Sequence, residues 1–278
     1  MVSIFSFCRF SAESDKKFGS HVQELNRWFH PRISFQTEYD NNIFLEPTDE
    51  SEDFIFTLTP GLFVDVPFSG GTHLFTFDYH VDLAAFAEFD DQNYDSHYLL
   101  GNLDLNFPNF YVKTYDDFRS TSTRGATEFT DRISRIENLY SIDVGSDEWN
   151  KFSAEAGYDY YLVGYDDDPF FVFDRDDHTL NGTLFYQIFQ KTKALLEYNH
   201  AFIRYDAEDV SRDGDFDQIR TGLTGEILSK LVGTVKLGFQ DRRYDDSDQD
   251  WSSAVVSLSL VHNFSSHTTF TLSYERSA

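Results

Sequence analysis

The chain contains 278 residues, of which 18% are aromatic, and it carries a formal net charge of −26 at pH 7. So large an acidic excess excludes nucleic acid as a partner, because the chain has no basic patch to displace phosphate counterions. No apolar run of about 18 residues occurs, which excludes a helical membrane span. A β-barrel remains open, since only alternate residues of each barrel strand face lipid.

The predicted strands follow an N-terminal segment, residues 1–31, that shows no clear hydrophobic period. This segment predicts irregular structure or a short helix that ends at Pro31. From residue 32 to residue 278 apolar and polar residues alternate, which places residues i and i+2 on one face of a strand. Pro60 predicts a β-bulge in the second strand, because proline cannot donate to a sheet ladder. We predict about thirteen strands, which in chain order are Arg32–Asp40, Phe54–Phe68, Phe75–Ala85, Leu99–Phe107, Phe110–Phe118, Ile136–Gly145, Lys151–Tyr165, Thr179–Phe189, Lys193–Tyr205, Asp217–Leu228, Leu231–Tyr244, Trp251–Phe264 and Thr268–Glu275.

Short turns and acidic loops alternate between these strands, and the longest predicted loop runs from Arg119 to Arg135. A propeller blade would divide an interval of roughly 40 residues into four short strands, whereas each interval here holds two long ones. Short turns at one end of the strands and longer loops at the other are typical of bacterial outer-membrane barrels. The pattern predicts an all-β, antiparallel, up-and-down transmembrane β-barrel. The short turns lie near Ser69, Pro108, Asp147, Lys191, Ser229 and Ser265.

Four stretches carry a resemblance to a known family: Tyr39–Leu62, Gly101–Ser122, Thr127–Asn138 and Thr221–Asp246. Over residues 32–278 the chain resembles a family of outer-membrane β-barrel porins associated with exopolysaccharide and capsule biosynthesis in Gram-negative bacteria. The motifs of this family are strand and turn patterns. The resemblance implies a passive outer-membrane channel or structural component that serves polysaccharide export. The chain departs from this pattern in its poor secretory signal, its final residues without a terminal aromatic, and its odd strand number. We therefore expect a fragment or an incomplete barrel.

The polar face of the predicted strands supplies the candidate functional residues. In a barrel these side chains face the lumen, where charged groups set selectivity, or they hydrogen-bond across the lumen and plug it. Tyr111, Tyr115 and Tyr161 lie beside them and offer rings on which a sugar can stack. The predicted lumen-facing residues are Asp78, His80, Asp82, Asp104, Lys113, Glu155, Asp159, Arg220, Lys236 and Arg242.

The acidic loops and four strand-end residues define two alternatives. Residues 213–217 place carboxylates at alternate positions around a glycine, and residues 166–168 are all aspartate. A soluble extracellular β-sheet protein would use such loops to bind calcium or carbohydrate. An outer-membrane enzyme would use the His/Asp pairs at the loop ends of the strands.

No nucleophile motif or metal-ligand spacing accompanies those pairs, which are His97 with Asp95 and His178 with Asp177. The sequence therefore predicts a chain that is not an enzyme and takes no cofactor. It also predicts location in a Gram-negative outer membrane, with lipid, lipopolysaccharide and polysaccharide as partners.

Overall fold

The computed structural model describes residues 27–44, 48, 50–124, 132–166, 168–207, 212–228, 231–245, 247–263 and 268–276. Long alternating segments form strands throughout this range, and three short 3-10 turns interrupt the loops at Ser69–Gly71, Asp90–Gln92 and Phe170–Phe173. The strands are β1 (Phe29–Asp40), β2 (Asp53–Phe68), β3 (His73–Phe86), β4 (Tyr94–Asn106), β5 (Phe110–Arg124), β6 (Arg132–Ser146), β7 (Phe152–Tyr165), β8 (Arg175–Phe189), β9 (Thr192–Tyr205), β10 (Gly214–Leu228), β11 (Leu231–Tyr244), β12 (Ser247–Asn263) and β13 (Thr269–Arg276).

Each strand pairs with its neighbours in chain order, from β1 through to β13. The ladders from β1 to β3 and from β8 to β13 are antiparallel, as in β1 with β2 and β10 with β11. This order confirms the predicted all-β, antiparallel, up-and-down fold of about thirteen strands. The order ends at β1 and β13, an arrangement that the prediction of an incomplete barrel allows. In the described part of the chain, no helix has the length and apolarity needed to cross a membrane.

Several predicted strand boundaries are wrong, and three of them change how a segment is interpreted. β1 begins at Phe29 rather than Arg32, and Pro31 lies in the ladder opposite Leu62. Among the described strands, β1 pairs along one edge only, so a proline can lie there without breaking a second ladder. Residues 1–26 of the predicted N-terminal segment lie outside the described residues. β5 runs to Arg124 and β6 starts at Arg132, so most of the predicted loop from Arg119 to Arg135 is strand. Its Ser and Thr residues alternate in the strand like any other polar residue.

The bulge predicted at Pro60 is also wrong. β2 and β3 pair in the same register before and after the proline, with Leu58 opposite Leu83 and Gly61 opposite His80. In place of a ladder bond at this point, the Thr59 hydroxyl donates to Asp82 Oδ1 at 2.5 Å. A side-chain bond therefore joins the two strands where the proline cannot donate.

The described residues form two compact units. Unit 1 takes in residues up to Asp104 together with Tyr115–Leu139 and Val163–Phe171. Unit 2 takes in Leu105–Thr114, Tyr140–Leu162 and residues from Val172 onwards.

In unit 1, large apolar side chains on one face of β1, β2 and β3 are exposed, among them Ile33, Phe35, Phe54, Phe56 and Leu83. The alternate residues of the same strands form the opposite face, which carries most of the ionisable groups.

In unit 2, the same separation runs along β8 to β11. Leu184 on β8 is 60% exposed and Phe239 on β11 is 68% exposed. Between these exposed positions, Glu197 and Gln240 on the opposite face are buried. One face of this sheet is thus apolar and exposed, while the other is polar and covered.

The loop end of β2 is fixed by one carboxylate. Asp53 accepts hydrogen bonds from the backbone N–H groups of Phe54, Ala87, Glu88 and Phe89 at 2.6–3.2 Å. Burial by itself raises the pKa of Asp53, but these four donors outweigh it and hold the pKa below the ordinary value. The charged carboxylate therefore anchors residues 87–89 of the β3–β4 loop to the end of β2.

Candidate functional site

A buried carboxylate organises the polar face of unit 2. Glu197 on β9 is 7% exposed and accepts from Arg220 Nε of β10 at 2.6 Å and from Lys236 Nζ of β11 at 2.5 Å. The side chains of Asn199, Gln218 and Gln240 extend this network through contacts of 3.2 Å. One carboxylate is thus shared by two cations, and this Glu197 cluster carries net positive charge.

A second group on the same face of unit 2 is mainly acidic. The Tyr111 hydroxyl of β5 donates to Glu155 Oε2 of β7 at 2.9 Å. Asp159 accepts from Ser141, and from Asn181 Nδ2 at 2.5 Å. Lys113 Nζ lies 5.1 Å from the centre of the Tyr111 ring, within the range of a cation–π contact.

At two places on the polar face, one in each unit, a side chain crosses an intervening strand at a glycine to reach its partner. Tyr111 reaches Glu155 across β6 at Gly145, where an added Cβ would lie only 2.1 Å from Tyr111 Cζ. In unit 1, Arg32 of β1 reaches Asp78 of β3 at 2.5 and 2.8 Å across β2. It passes Gly61, where an added Cβ would lie 3.0 Å from Arg32 Nε. Polar contacts therefore span three strands where the middle residue has no side chain.

The structure places all ten predicted lumen-facing residues on the face opposite the exposed apolar rows. His80 lies beside Asp78, with Nδ1 and Oδ1 3.5 Å apart. The Arg242 guanidinium lies 4.9 Å from the centre of the Tyr244 ring. Asp104 is half-buried and shares a face of β4 with Asn102, which donates to Thr76.

A cavity of about 460 Å³ opens at the short-turn end of this face in unit 2. Its lining includes side chains from the β6–β7 turn and from strands as far apart as β5 and β10. In a flat sheet, strands about 4.8 Å apart would separate β5 from β10 by about 24 Å. The shared lining, together with the low exposure of Glu197, Gln218 and Gln240 on this face, indicates that the sheet of unit 2 curves with its polar face on the concave side. The lining residues are Tyr111, Ser146, Asp147, Glu148, Ser153, Ala154, Glu155, Phe185, Lys193 and Thr224.

Two hydrogen-bonded Tyr–His–Asp chains lie on the apolar face, toward the loop ends of the strands. In unit 1, Tyr79 bonds His97 Nδ1 at 2.8 Å, and His97 Nε2 bonds Asp95 at 2.9 Å. The contact of His97 with Asp95 is one of the two His/Asp pairs that the sequence predicts.

The corresponding chain of unit 2 corrects the other candidate pair. Tyr158 bonds His178 Nδ1 at 2.6 Å, and His178 Nε2 lies 3.0 Å from Asp176. The partner of His178 is Asp176 rather than Asp177, because only residues two apart share a face of a strand. Asp177 lies on the other face, 3.5 Å from Arg175.

The acidic loop residues are bound to separate partners. Asp213 Oδ1 accepts from the Tyr205 backbone N–H at 2.8 Å, Asp215 pairs with Arg204 at 3.0 Å, and Asp217 contacts Arg243. In the ranges that the structure describes, no three His, Cys, Asp or Glu side chains converge on a point that could hold a metal ion. Asp167 of the other acidic loop lies outside the described residues.

Comparison with known proteins finds a likeness in fold only. No protein-family model matches the chain, and no curated protein matches it. Among solved structures, the chain is similar to OmpTΔL8, the loop L8 deletion mutant of OmpT, an outer membrane protein of Vibrio cholerae. The TM-score is 0.44 and the identity is 10%, and the alignment covers 81% of this chain and 84% of the other.

The prediction that the chain is not an enzyme is corrected. The match to OmpT gives no ground for excluding catalysis. The structure also assembles two Tyr–His–Asp chains, and these are groups that can transfer protons. The absence of a sequence motif was therefore too weak a reason for the exclusion.

Proposed function

We propose that the chain is a porin-like outer-membrane β-barrel, with its apolar face toward lipid and its polar face lining a water-filled passage. The observation that carries the proposal is the curvature of unit 2, whose concave side holds the polar face. A soluble β-protein would turn its apolar face inward and its charged face to water.

The exposed apolar residues support this orientation. Contiguous apolar patches of more than a few hundred Å² are rare on soluble monomers. In unit 2, Leu180, Leu184, Leu196, Ile219 and Leu237 lie exposed on neighbouring strands. The hydrocarbon core of a membrane is the environment that fits such a surface. The strands β7 to β11 contain 14 or 15 residues each, more than the roughly 9–11 needed to span a bilayer.

The Tyr–His–Asp chains fit the same orientation. Aromatic side chains with polar ends concentrate at the interfaces of membrane barrels, where the ring is apolar and the hydroxyl meets headgroups. Tyr79, Tyr158 and Tyr198 lie on the apolar face, each bonded to a histidine or an aspartate. In a membrane barrel, such polar contacts on the outer face would be met by headgroups rather than by hydrocarbon.

The substrate of the passage is proposed from the polar groups and from the family resemblance. Tyr111 and Tyr161 lie among charged side chains on the concave face of unit 2, where a ring can stack on a sugar and a carboxylate can accept from its hydroxyls. We therefore propose polysaccharide as the passing substrate.

A pair of neighbouring substitutions tests the orientation. Leu184→Arg places a charge on the exposed apolar face, and Thr183→Arg places the same charge on the polar face. A lipid-facing arginine near the bilayer midplane costs about 2–4 kcal/mol. We expect Leu184→Arg to reduce folding into lipid vesicles, as read by heat-modifiable gel mobility, and Thr183→Arg to fold as the parent does.

Better folding of Leu184→Arg than of Thr183→Arg would contradict the proposal, because a soluble protein gains solubility when an exposed leucine becomes charged. Conductance is the second readout. The folded chain should open ion-conducting channels in a planar bilayer, and a chain that stays monomeric in buffer without detergent would end the proposal.

A further inference from the structure

We propose that the cavity at the short-turn end of unit 2 binds small organic ammonium ions. In outer-membrane barrels the short turns face the periplasm, so in the proposed barrel this end would lie there. The binding itself requires only the cavity, so an experiment can test binding independently of ion conduction.

The size and the charge of the cavity point to this ligand class. Its volume of about 460 Å³ lies within the range of roughly 300–1,000 Å³ found for small-molecule sites. Asp147, Glu148 and Glu155 contribute three carboxylates to the lining, against the single ammonium of Lys193. The excess of two negative charges repels carboxylate or phosphate ligands and attracts cations.

Aromatic rings define the kind of cation. The rings of Tyr111 and Phe185 line the same cavity. An ammonium group is attracted to the face of an aromatic ring, and proteins recognise organic ammonium ions through such rings. A bare metal ion would instead require several converging oxygen ligands.

The chain itself supplies an example of this binding. Lys193 Nζ lies 2.8 Å from Glu148 Oε1 and 5.9 Å from the centre of the Phe185 ring. One ammonium is therefore already held between a carboxylate and a ring of the cavity. An external amine would use the remaining carboxylates, and Lys193 would compete with it for Glu148.

The test is calorimetric titration of the full chain, folded in detergent, with three probes of similar length. These are 1,4-diaminobutane, the uncharged 1,4-butanediol and the anionic succinate. We expect the diamine to bind, with affinity that falls as salt is added, and we expect no heat of binding from the diol or from succinate.

Variants locate the binding in the cavity. Glu155→Gln should weaken diamine binding by about fivefold, the effect of one partly exposed ion pair, whereas Lys193→Met should strengthen it by removing the competitor. The matched control for the charge is Glu226→Gln, since Glu226 pairs with Lys191 outside the cavity. Phe185→Leu should weaken diamine binding through loss of the ring. Its matched control is Tyr186→Leu, since Tyr186 lies on the exposed face. Both control variants should bind as the parent does.

Three results would overturn the proposal: no binding of the diamine, equal binding of the diol, or binding of succinate. A misfolded variant cannot imitate the gain expected for Lys193→Met. Conductance of the same preparation is scored separately. Conducting channels that do not bind the diamine refute only this inference, and diamine binding without conductance refutes only the passage.

Discussion

Removal of the Glu197 carboxylate should destabilise the protein far more than removal of an exposed carboxylate. In Glu197→Ala, Arg220 and Lys236 lose their shared counterion while their side chains remain only 18% and 22% exposed. Breaking a buried ion pair by removing one partner costs about 3–5 kcal/mol, because a charge is left without compensation. The two cations keep some contact with water, so we expect a loss of about 3 kcal/mol, at the lower end of that range.

Urea unfolding of the chain refolded in lipid vesicles measures this loss through the fluorescence of its three tryptophans. Glu226→Ala is the matched control, because Glu226 pairs at 2.6 Å with Lys191, whose side chain is 71% exposed. An exposed pair contributes about 0–1 kcal/mol. Replacing Glu197, Arg220 and Lys236 together with leucine should recover most of the lost stability, since no unpaired charge then remains.

Equal costs for Glu197→Ala and Glu226→Ala would refute this reasoning. Such a result would mean that water reaches the Glu197 cluster as freely as it reaches the surface. The polar face would then be an ordinary solvated face rather than a covered one.

Two further predictions concern backbone contacts and close packing. Asp53→Asn should cost about 1.5–3 kcal/mol, because an amide cannot accept all the N–H groups that now bind the carboxylate. Since the pKa of Asp53 is lowered by folding, its contribution is present above the ordinary aspartate pKa and is lost as pH falls through the lower folded value. The stability gap between parent and Asp53→Asn should therefore narrow in urea titrations as pH falls below the ordinary aspartate pKa, and a constant gap would contradict the anchor. Gly145→Ala should cost about 1–3 kcal/mol, because the new methyl displaces Tyr111 from Glu155. A stabilised Gly145→Ala variant, the usual result for a glycine within a strand, would show that the ring does not pack there.

The strands could be predicted from the sequence because each strand face has its own composition. Along β7 the alternation of Phe152 and Tyr158 with Glu155 and Asp159 indicates both the strand and its two faces. The boundaries were less predictable where polar residues continue a strand. The Ser/Thr-rich end of β5 reads as loop, yet its residues pair in the sheet, because pairing depends on the neighbouring strand and not on local composition.

The partners within the polar face could not be predicted in the same way. The sequence places Arg220, Lys236 and Glu155 on the correct face but gives no register between strands, so it cannot show that two cations share Glu197. It also gives no sign that Gly145 or Gly61 would be crossed by a neighbouring side chain. Register follows from the whole set of ladders, and a shift of one residue would turn every such group to the other face.

The crossings at Gly61 and Gly145 each join three strands on the polar face of one unit. In a flat sheet, residues on strands two apart lie about 9.6 Å from each other, and few side chains pair over that distance. A glycine on the middle strand clears the path, so Arg32 meets Asp78 in unit 1 and Tyr111 meets Glu155 in unit 2. In unit 2, where the polar face is concave, such a contact helps to hold the curvature that leaves the apolar side chains exposed. Gly61→Val should therefore loosen the sheet of unit 1 and free Arg32 from Asp78. Leu58→Ala, at an exposed position of the same strand, should not produce this effect. Faster hydrogen exchange along β1 and β3 in the valine variant alone would be the measurement that supports it, and equal exchange in the two variants would refute it.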